Sequence, residues 1–245
     1  MNSFLKIQNL YSKYTSSQIN TDYILKNINL DFNKGKITGV LGRNGAGKST
    51  LLRTIAGVLR ASSGSIEFCE KNITDYNSRQ IIQSGISFVP QERECFLDFT
   101  VEENIKAALL PLNLSSFEIK EKIKIGLSYF KQIQEQKSQL VYNLSGGIRQ
   151  MLIISMGFVQ EPLCILLDEP SLGLSNTALE QMKIMIGDYA RNGGTVIIVE
   201  QKSLIFELAD YIHVIDNGSV ILSGQPDMIK NDETFKNIYL GLKQN

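Results

Sequence analysis

The chain has 245 residues, enough to bury a sizeable core as one large domain or two small ones. Its 25 Lys and Arg balance 25 Asp and Glu, so it lacks the clustered positive charge that nucleic-acid phosphates require. The longest apolar stretch, Met151 to Val159, is nine residues with a Ser and a Gly inside it, against roughly 20 needed to span a bilayer. Phe4-Leu5-Lys6-Ile7 alternates like a strand and is too short for the apolar part of a signal peptide, so no export signal is expected. Cys69, Cys95 and Cys164 show neither metal nor redox spacing, which fits a reduced, cytosolic setting.

Taken in order, Phe4 to Leu10 reads as a strand and Ser12 to Asp22 as a polar loop. Ile24 to Phe32 alternates, and Asn33-Lys34-Gly35 turns the chain into a short buried strand, Ile37 to Leu41. The first strands are close in sequence and are expected to pair antiparallel. After a glycine-rich segment, Leu51, Leu52, Ile55 and Leu59 fall at helical spacing. Ser65 to Phe68 and Ile86 to Val89 are two further strands, with a short helix, Ser78 to Gln83, between them. From Gln91 the pattern turns helical. Thr100-Val101-Glu102-Glu103 is a capping-box start, with Ile105, Leu109 and Leu112 on one face. Ile119, Ile123, Leu127, Phe130 and Ile133 predict a second, longer helix, and another begins after Gly146-Gly147. Leu163 to Leu167 and Thr195 to Val199 are unbroken apolar runs, as in strands buried on both faces. The helix between them, around Leu179 to Tyr189, makes the unit a parallel crossover. Tyr211 to Ile215 and Ser219 to Leu222 flank Asp216-Asn217-Gly218, a strong hairpin signal. The reading is an α/β nucleotide-binding core with a helical insert.

Three stretches carry chemistry. Gly42-Arg43-Asn44-Gly45-Ala46-Gly47-Lys48-Ser49-Thr50 fits G-x-x-x-x-G-K-[ST] between a strand and a helix. Backbone N–H groups around such a turn, with the positive end of the following helix, cradle phosphates. Lys48 would reach the β- and γ-phosphates of a nucleoside triphosphate such as ATP, and the Ser49 hydroxyl would complete Mg²⁺ coordination. Leu167-Asp168-Glu169 ends an apolar strand, where open parallel sheets bind ligands. Asp168 would hold Mg²⁺ directly or through water, and Glu169 would orient and polarise the attacking water. In Leu144-Ser145-Gly146-Gly147-Ile148-Arg149-Gln150, Ser and two Gly precede a helix. That is either a second anion site or an ordinary serine cap.

The order of these motifs resembles the ATP-binding-cassette (ABC) ATPases, with LSGG-x-[RK]-Q between a P-loop and a Walker B strand. The resemblance implies a P-loop NTPase of the ABC type: a mixed α/β core sheet with an antiparallel β edge and a helical subdomain. It divides the chain into a core, 1–91 and 160–245, and a helical subdomain with the signature, 92–159. Gln91 matches the Q-loop glutamine that contacts Mg²⁺ and the attacking water. Tyr14 matches the aromatic that stacks on adenine, with Tyr11 and Tyr23 as competitors. Gln201 stands where most members have a switch histidine, and Ser175 where their D-loop has an aspartate. The only histidine, His213, lies within a strand of the late hairpin and is read as a packed or edge residue. Val199-Glu200-Gln201, Ser171-Leu172-Gly173-Leu174 and Tyr239-Leu240-Gly241 together resemble one of the two ATPase subunits of branched-chain amino acid importers, or of urea-type importers.

That resemblance implies a peripheral subunit on the inner face of the cell membrane, bound to separate integral-membrane permease subunits through Gln91 to Phe99 and the helical insert. Cys95, Phe96, Leu97 and Phe99 would give apolar contact there, or equally belong to the core. Two ATPase subunits would pair head to tail, each ATP lying between one phosphate loop and the other's Ser145, Gly146 and Gly147. Gln201 favours a heterodimer over a homodimer. The rivals are a soluble ABC ATPase without a transporter and a nucleotide-sensing module with little turnover.

Overall fold

The computed structural model describes residues 4–14, 22–91, 95–200 and 202–240. In chain order the elements begin β1 (Leu5–Ser12), β2 (Leu25–Phe32), β3 (Ile37–Gly42), α1 (Lys48–Ile55), β4 (Ala61–Phe68), β5 (Lys71–Asn72), α2 (Ser78–Ser84) and β6 (Ile86–Val89). Four helices follow: α3 (Val101–Leu109), α4 (Ser116–Ser128), α5 (Lys131–Glu135) and α6 (Gly146–Phe158). Then come β7 (Cys164–Asp168), α7 (Asn176–Arg191), β8 (Thr195–Val199) and α8 (Lys202–Leu208). The late hairpin is β9 (Tyr211–Asp216) and β10 (Ser219–Gly224), followed by α9 (Pro226–Asn231) and α10 (Glu233–Leu240).

The core sheet runs β10-β9-β3-β8-β7-β6. Its first five strands from β6 inward pair in parallel, and β10 closes the edge antiparallel to β9. A second sheet, β2-β1-β4-β5, is antiparallel throughout. Every residue of β7 and β8 is buried, because both faces of the parallel strands are covered. β2 instead alternates, with Leu25, Ile28, Leu30 and Phe32 inward.

Alternation along the parallel strands sorts the core into two layers. Ile165, Leu167, Val196 and Ile198 join α3, α4, α6 and α7 on one face. Cys164, Leu166, Ile197 and Val199 join α1 and the antiparallel sheet on the other. Helix α1 is thus enclosed between two sheets, with Thr50, Leu51, Leu52, Thr54 and Ile55 buried. Its N-terminus sits where β3 ends.

Local physics shifts several boundaries. α1 stops at Ile55, because Gly57 turns the chain at φ +65°, and Leu59 lies beyond the helix. β4 starts at Ala61 rather than Ser65. It passes through Gly64 at φ +91°, where an added Cβ would stand 2.3 Å from the Asn9 carbonyl oxygen. The helix predicted from Ile119 to Ile133 is two helices. Phe130 between them is extended, which lets both Phe130 and Ile133 insert fully into the core. Leu163 is half exposed and precedes β7. The capping box at Thr100 forms as read, Glu103 closing back on the Thr100 backbone. No described helix is long and apolar enough to cross a membrane.

His213, on β9, is buried between the rings of Phe32 and Tyr211, with Nδ1 2.7 Å from the Ser223 hydroxyl. Burial pushes its pKa down to about 4, against partial support from the Asp31 backbone. A histidine depressed in the folded state contributes stability fully above its ordinary pKa near 6.5 and loses it as pH falls towards 4. That loss should reach about 3 kcal/mol. His213→Gln should flatten this part of the profile, read as the change in urea midpoint between pH 7 and pH 4.5. Identical pH slopes for the two chains would show that His213 does not titrate on unfolding.

Candidate functional site

The phosphate loop is shaped by its glycines. Gly45 and Gly47 sit at φ +80° and +107°, where a side chain would be strained. At Gly42 an added Cβ would stand 2.4 Å from the Ile215 carbonyl oxygen on the neighbouring strand. Among the described residues no side chain caps α1, which leaves the N–H groups of its first turn for an anion. Lys48 folds back across the loop, its Nζ donating to Gly42 O at 2.9 Å and Arg43 O at 3.1 Å. Burial lowers its pKa, and the charges of Glu169 and Asp168 oppose that shift.

The end of β7 meets the loop directly. The Ser49 hydroxyl donates to Asp168 Oδ1 at 3.1 Å. Asp168 is fully buried, and burial raises its pKa against the Ser49 hydrogen bond, with Glu169 adding to the rise. Its other oxygen, Oδ2, is buried without a hydrogen-bond partner among the described residues. A desolvated carboxylate oxygen beside a serine hydroxyl is a hard-oxygen donor set, which fits Mg²⁺ completed by phosphate oxygens and water. Glu169 follows at φ +49°, a left-handed conformation that costs a non-glycine residue of order 1–3 kcal/mol. Its backbone N–H is held by Val199 O at 2.8 Å. Gln91 Nε2 donates to Glu169 Oε2 at 2.9 Å. Lys48, Ser49, Gln91, Asp168 and Glu169 therefore converge at the C-terminal ends of β3, β6 and β7.

Ser145, Gly146 and Gly147 lie elsewhere. Ser145 is the N-cap of α6, its Oγ accepting from Ile148 N at a long 3.4 Å. Arg149 braces the approach through Leu144 O and Tyr142 O. Ser145 and Gly146 are exposed, and among the described residues no hydrogen bond joins this turn to the phosphate loop. Tyr14 is exposed, and its hydroxyl accepts from Arg53 at the end of α1. Tyr11 and Tyr23 pack edge to face on one another. Gln201 lies outside the described residues.

The sequence reading passed over two contacts. Gln150 Nε2 donates to Pro170 O at 3.0 Å, and Glu200 Oε1 accepts from Ser171 N at 2.6 Å. The available signal was a charged residue at the end of an all-apolar strand and an amide within a helix whose neighbours are buried.

A phosphate-binding loop facing an acidic strand end, with a second glycine-rich helix start turned outward, defines a P-loop ATPase cassette. The sequence profile described as ABC transporter matches residues 25–172. The chain is 32% identical over 243 residues to the high-affinity branched-chain amino acid transport ATP-binding protein BraG of Pseudomonas aeruginosa, covering 98% of this chain and 100% of that one. It is 31% identical to the lipopolysaccharide export system ATP-binding protein LptB of Haemophilus influenzae, with 98% of each chain covered. Its fold matches the dimeric post-hydrolysis structure of the ATP-binding cassette MJ0796 bound to ADP and Pi, with a TM-score of 0.81 at 22% identity over 91% of this chain and 98% of that one. The chain belongs to the ABC transporter family. It is an ATP-binding, ATP-hydrolysing cassette of that family.

The two signature glycines differ sterically. A Cβ on Gly147 would stand 2.9 Å from Gly173 O, whereas one on Gly146 meets nothing within 4 Å. Gly147→Ala should therefore cost about 1–3 kcal/mol through overpacking against backbone. Gly146→Ala should stay within about 0.5 kcal/mol of wild type. Thermal unfolding of the isolated chain measures both, and equal stability of the two variants would refute the steric distinction.

Proposed function

We propose that this chain is the ATPase subunit of an importer for branched-chain amino acids or a related small polar solute, working with separate membrane subunits. The observation that carries the reading is full-length likeness to BraG together with Val199-Glu200-Gln201 after β8. Likeness of the same order to LptB favours a second reading, an exporter of a lipid-linked substrate. The two separate on which solute a reconstituted complex moves.

In the site, Lys48 contacts the β- and γ-phosphates, and the N–H groups of Arg43 to Thr50 cradle them. Ser49, Asp168 and Gln91 hold Mg²⁺, which when bound neutralises charge building on the phosphates. Glu169 accepts a proton from the attacking water, and its contact with Gln91 fixes the carboxylate for that task. Tyr14 stacks on adenine, and Gln201 hydrogen-bonds the γ-phosphate. The outward-facing Ser145, Gly146 and Gly147 close over a nucleotide held by a second cassette, as expected of a head-to-tail dimer. Residues 92–159 form the helical subdomain that faces the permease, and 1–91 with 160–245 form the catalytic core at the cytoplasmic membrane face.

Lys48→Ala removes a charge-assisted phosphate contact worth about 1.5–3 kcal/mol, so ATP should bind roughly ten- to a hundredfold more weakly by calorimetry. Unchanged affinity would remove the phosphate loop from the mechanism.

A heterodimer follows from Gln201. A neutral amide can hydrogen-bond phosphate but cannot supply an imidazolium charge or move a proton. Losing such a preorganised contact typically costs about 10²–10³ in rate. A homodimer carries that loss at both sites, while a partner subunit with histidine keeps one site fast. Glu169→Gln should then preserve ATP binding, arrest this chain's own site and reduce complex turnover less than the same change in the partner. Equal losses, or brisk turnover by a purified homodimer, would defeat the asymmetric arrangement.

A further inference from the structure

We propose that Gln150 and Glu200 are positioning residues for Glu169, acting through the single peptide group that joins Pro170 to Ser171. The inference rests on the reading of Glu169 as the base. The carbonyl of that peptide accepts from Gln150 Nε2 at 3.0 Å, and its N–H donates to Glu200 Oε1 at 2.6 Å. Both side chains are buried, at 9% and 6% exposure. A peptide group is planar, so holding its oxygen and its nitrogen from two different elements fixes the plane. Neither end can tilt without breaking one of these bonds, and the bond from Gln150 is buried.

The consequence reaches Glu169 along the chain. The proline ring fixes φ at position 170 near −65°, leaving few soft dihedrals between the clamped peptide and the Glu169 Cα. On the other side, Glu169 N–H is bound to Val199 O at 2.8 Å. Val199 immediately precedes Glu200, so the end of β8 grips the segment twice. These restraints hold Glu169 at φ +49°, from which an unrestrained chain would relax, and so set where its carboxylate meets Gln91. Gln150 lies on α6, whose N-terminus carries Ser145 to Gly147. A tilt of α6 is therefore passed through one peptide to the catalytic carboxylate.

The test is ATP turnover and ATP affinity at this chain's own site, read in the complex whose partner subunit has its catalytic glutamate replaced by glutamine, for Glu200→Ala, Glu200→Gln, Gln150→Ala or Gln150→Glu, each with Glu169 and with Glu169→Gln. Misplacement of a reacting group by about 1 Å costs up to about a hundredfold. Glu200→Ala should thus lower kcat about tenfold or more, with ATP affinity unchanged. Glu200→Gln keeps an acceptor oxygen and should restore most of the rate. Gln150→Glu keeps the volume but loses the donor, so it should fall with Gln150→Ala. On the Glu169→Gln background none of the four should lower turnover further. Should Glu200→Ala fail to fold, the Gln150 pair puts the same question from the other end of the peptide. Full-rate turnover by these variants, or an equal further drop on the Glu169→Gln background, would overturn the inference while leaving Glu169 as the base. Wild-type turnover by Glu169→Gln alone would overturn both.

Discussion

Helix α1 has to be buried along its sides and open at its start, and most of the structure follows from meeting both demands. Buried Leu51, Leu52 and Ile55 seat it between the core sheet and the antiparallel sheet. Its first turn must then find partners for N–H groups that no side chain caps. The glycines before it keep side chains out of that space, and Lys48 lies across the loop carbonyls. A helix start desolvated on its flanks and unfilled at its tip is a strong anion site, because the dipole acts through a low-dielectric surround.

The carboxylates make the opposite demand. Asp168 is buried with one oxygen unpartnered, and Glu169 holds a strained backbone. A cation at this spot would offset the first cost, whereas the backbone strain is borne by the packing around Glu169. Lys48 offsets part of the charge, and burial lowers its own pKa in turn. The parallel pairing of β7 with β8, itself paired with β3, is what forces these groups to the same end of the sheet. The apolar core thus stabilises an arrangement that is unfavourable in itself.

Much of this was legible in the sequence, because the informative residues act locally. A glycine-rich turn between strand and helix, an acidic pair ending an apolar run, and the capping box at Thr100 follow from short-range chemistry. The split between α4 and α5 was not legible. Helical spacing from Ile119 to Ile133 continues unbroken, and only the tertiary demand to bury Phe130 breaks the backbone there. The early end of α1 has a local cause instead: Gly57 turns the chain at φ +65°, where an added Cβ would also stand 2.6 Å from Tyr76 O. The contacts of Gln150 and Glu200 were invisible for another reason. Each residue is unusual in its local setting, but their partners are backbone groups 20 and 29 residues away, which no local pattern specifies.

The outward-facing turn of Ser145, Gly146 and Gly147 completes the physical picture. Among the described residues the Ser145 hydroxyl makes one long capping bond, and Gly146 has open space around its missing side chain. Gly147, by contrast, is pressed against Gly173, which belongs to the segment that follows Glu169. One glycine of the pair thus faces outward while the next is tied to the catalytic strand end. The close approach at Gly147 and the hydrogen bond of Gln150, both on α6, tie the exposed turn to the segment after Glu169. A loop-to-helix junction of this kind is stiff where it meets the core and open where a second protein surface would press on it.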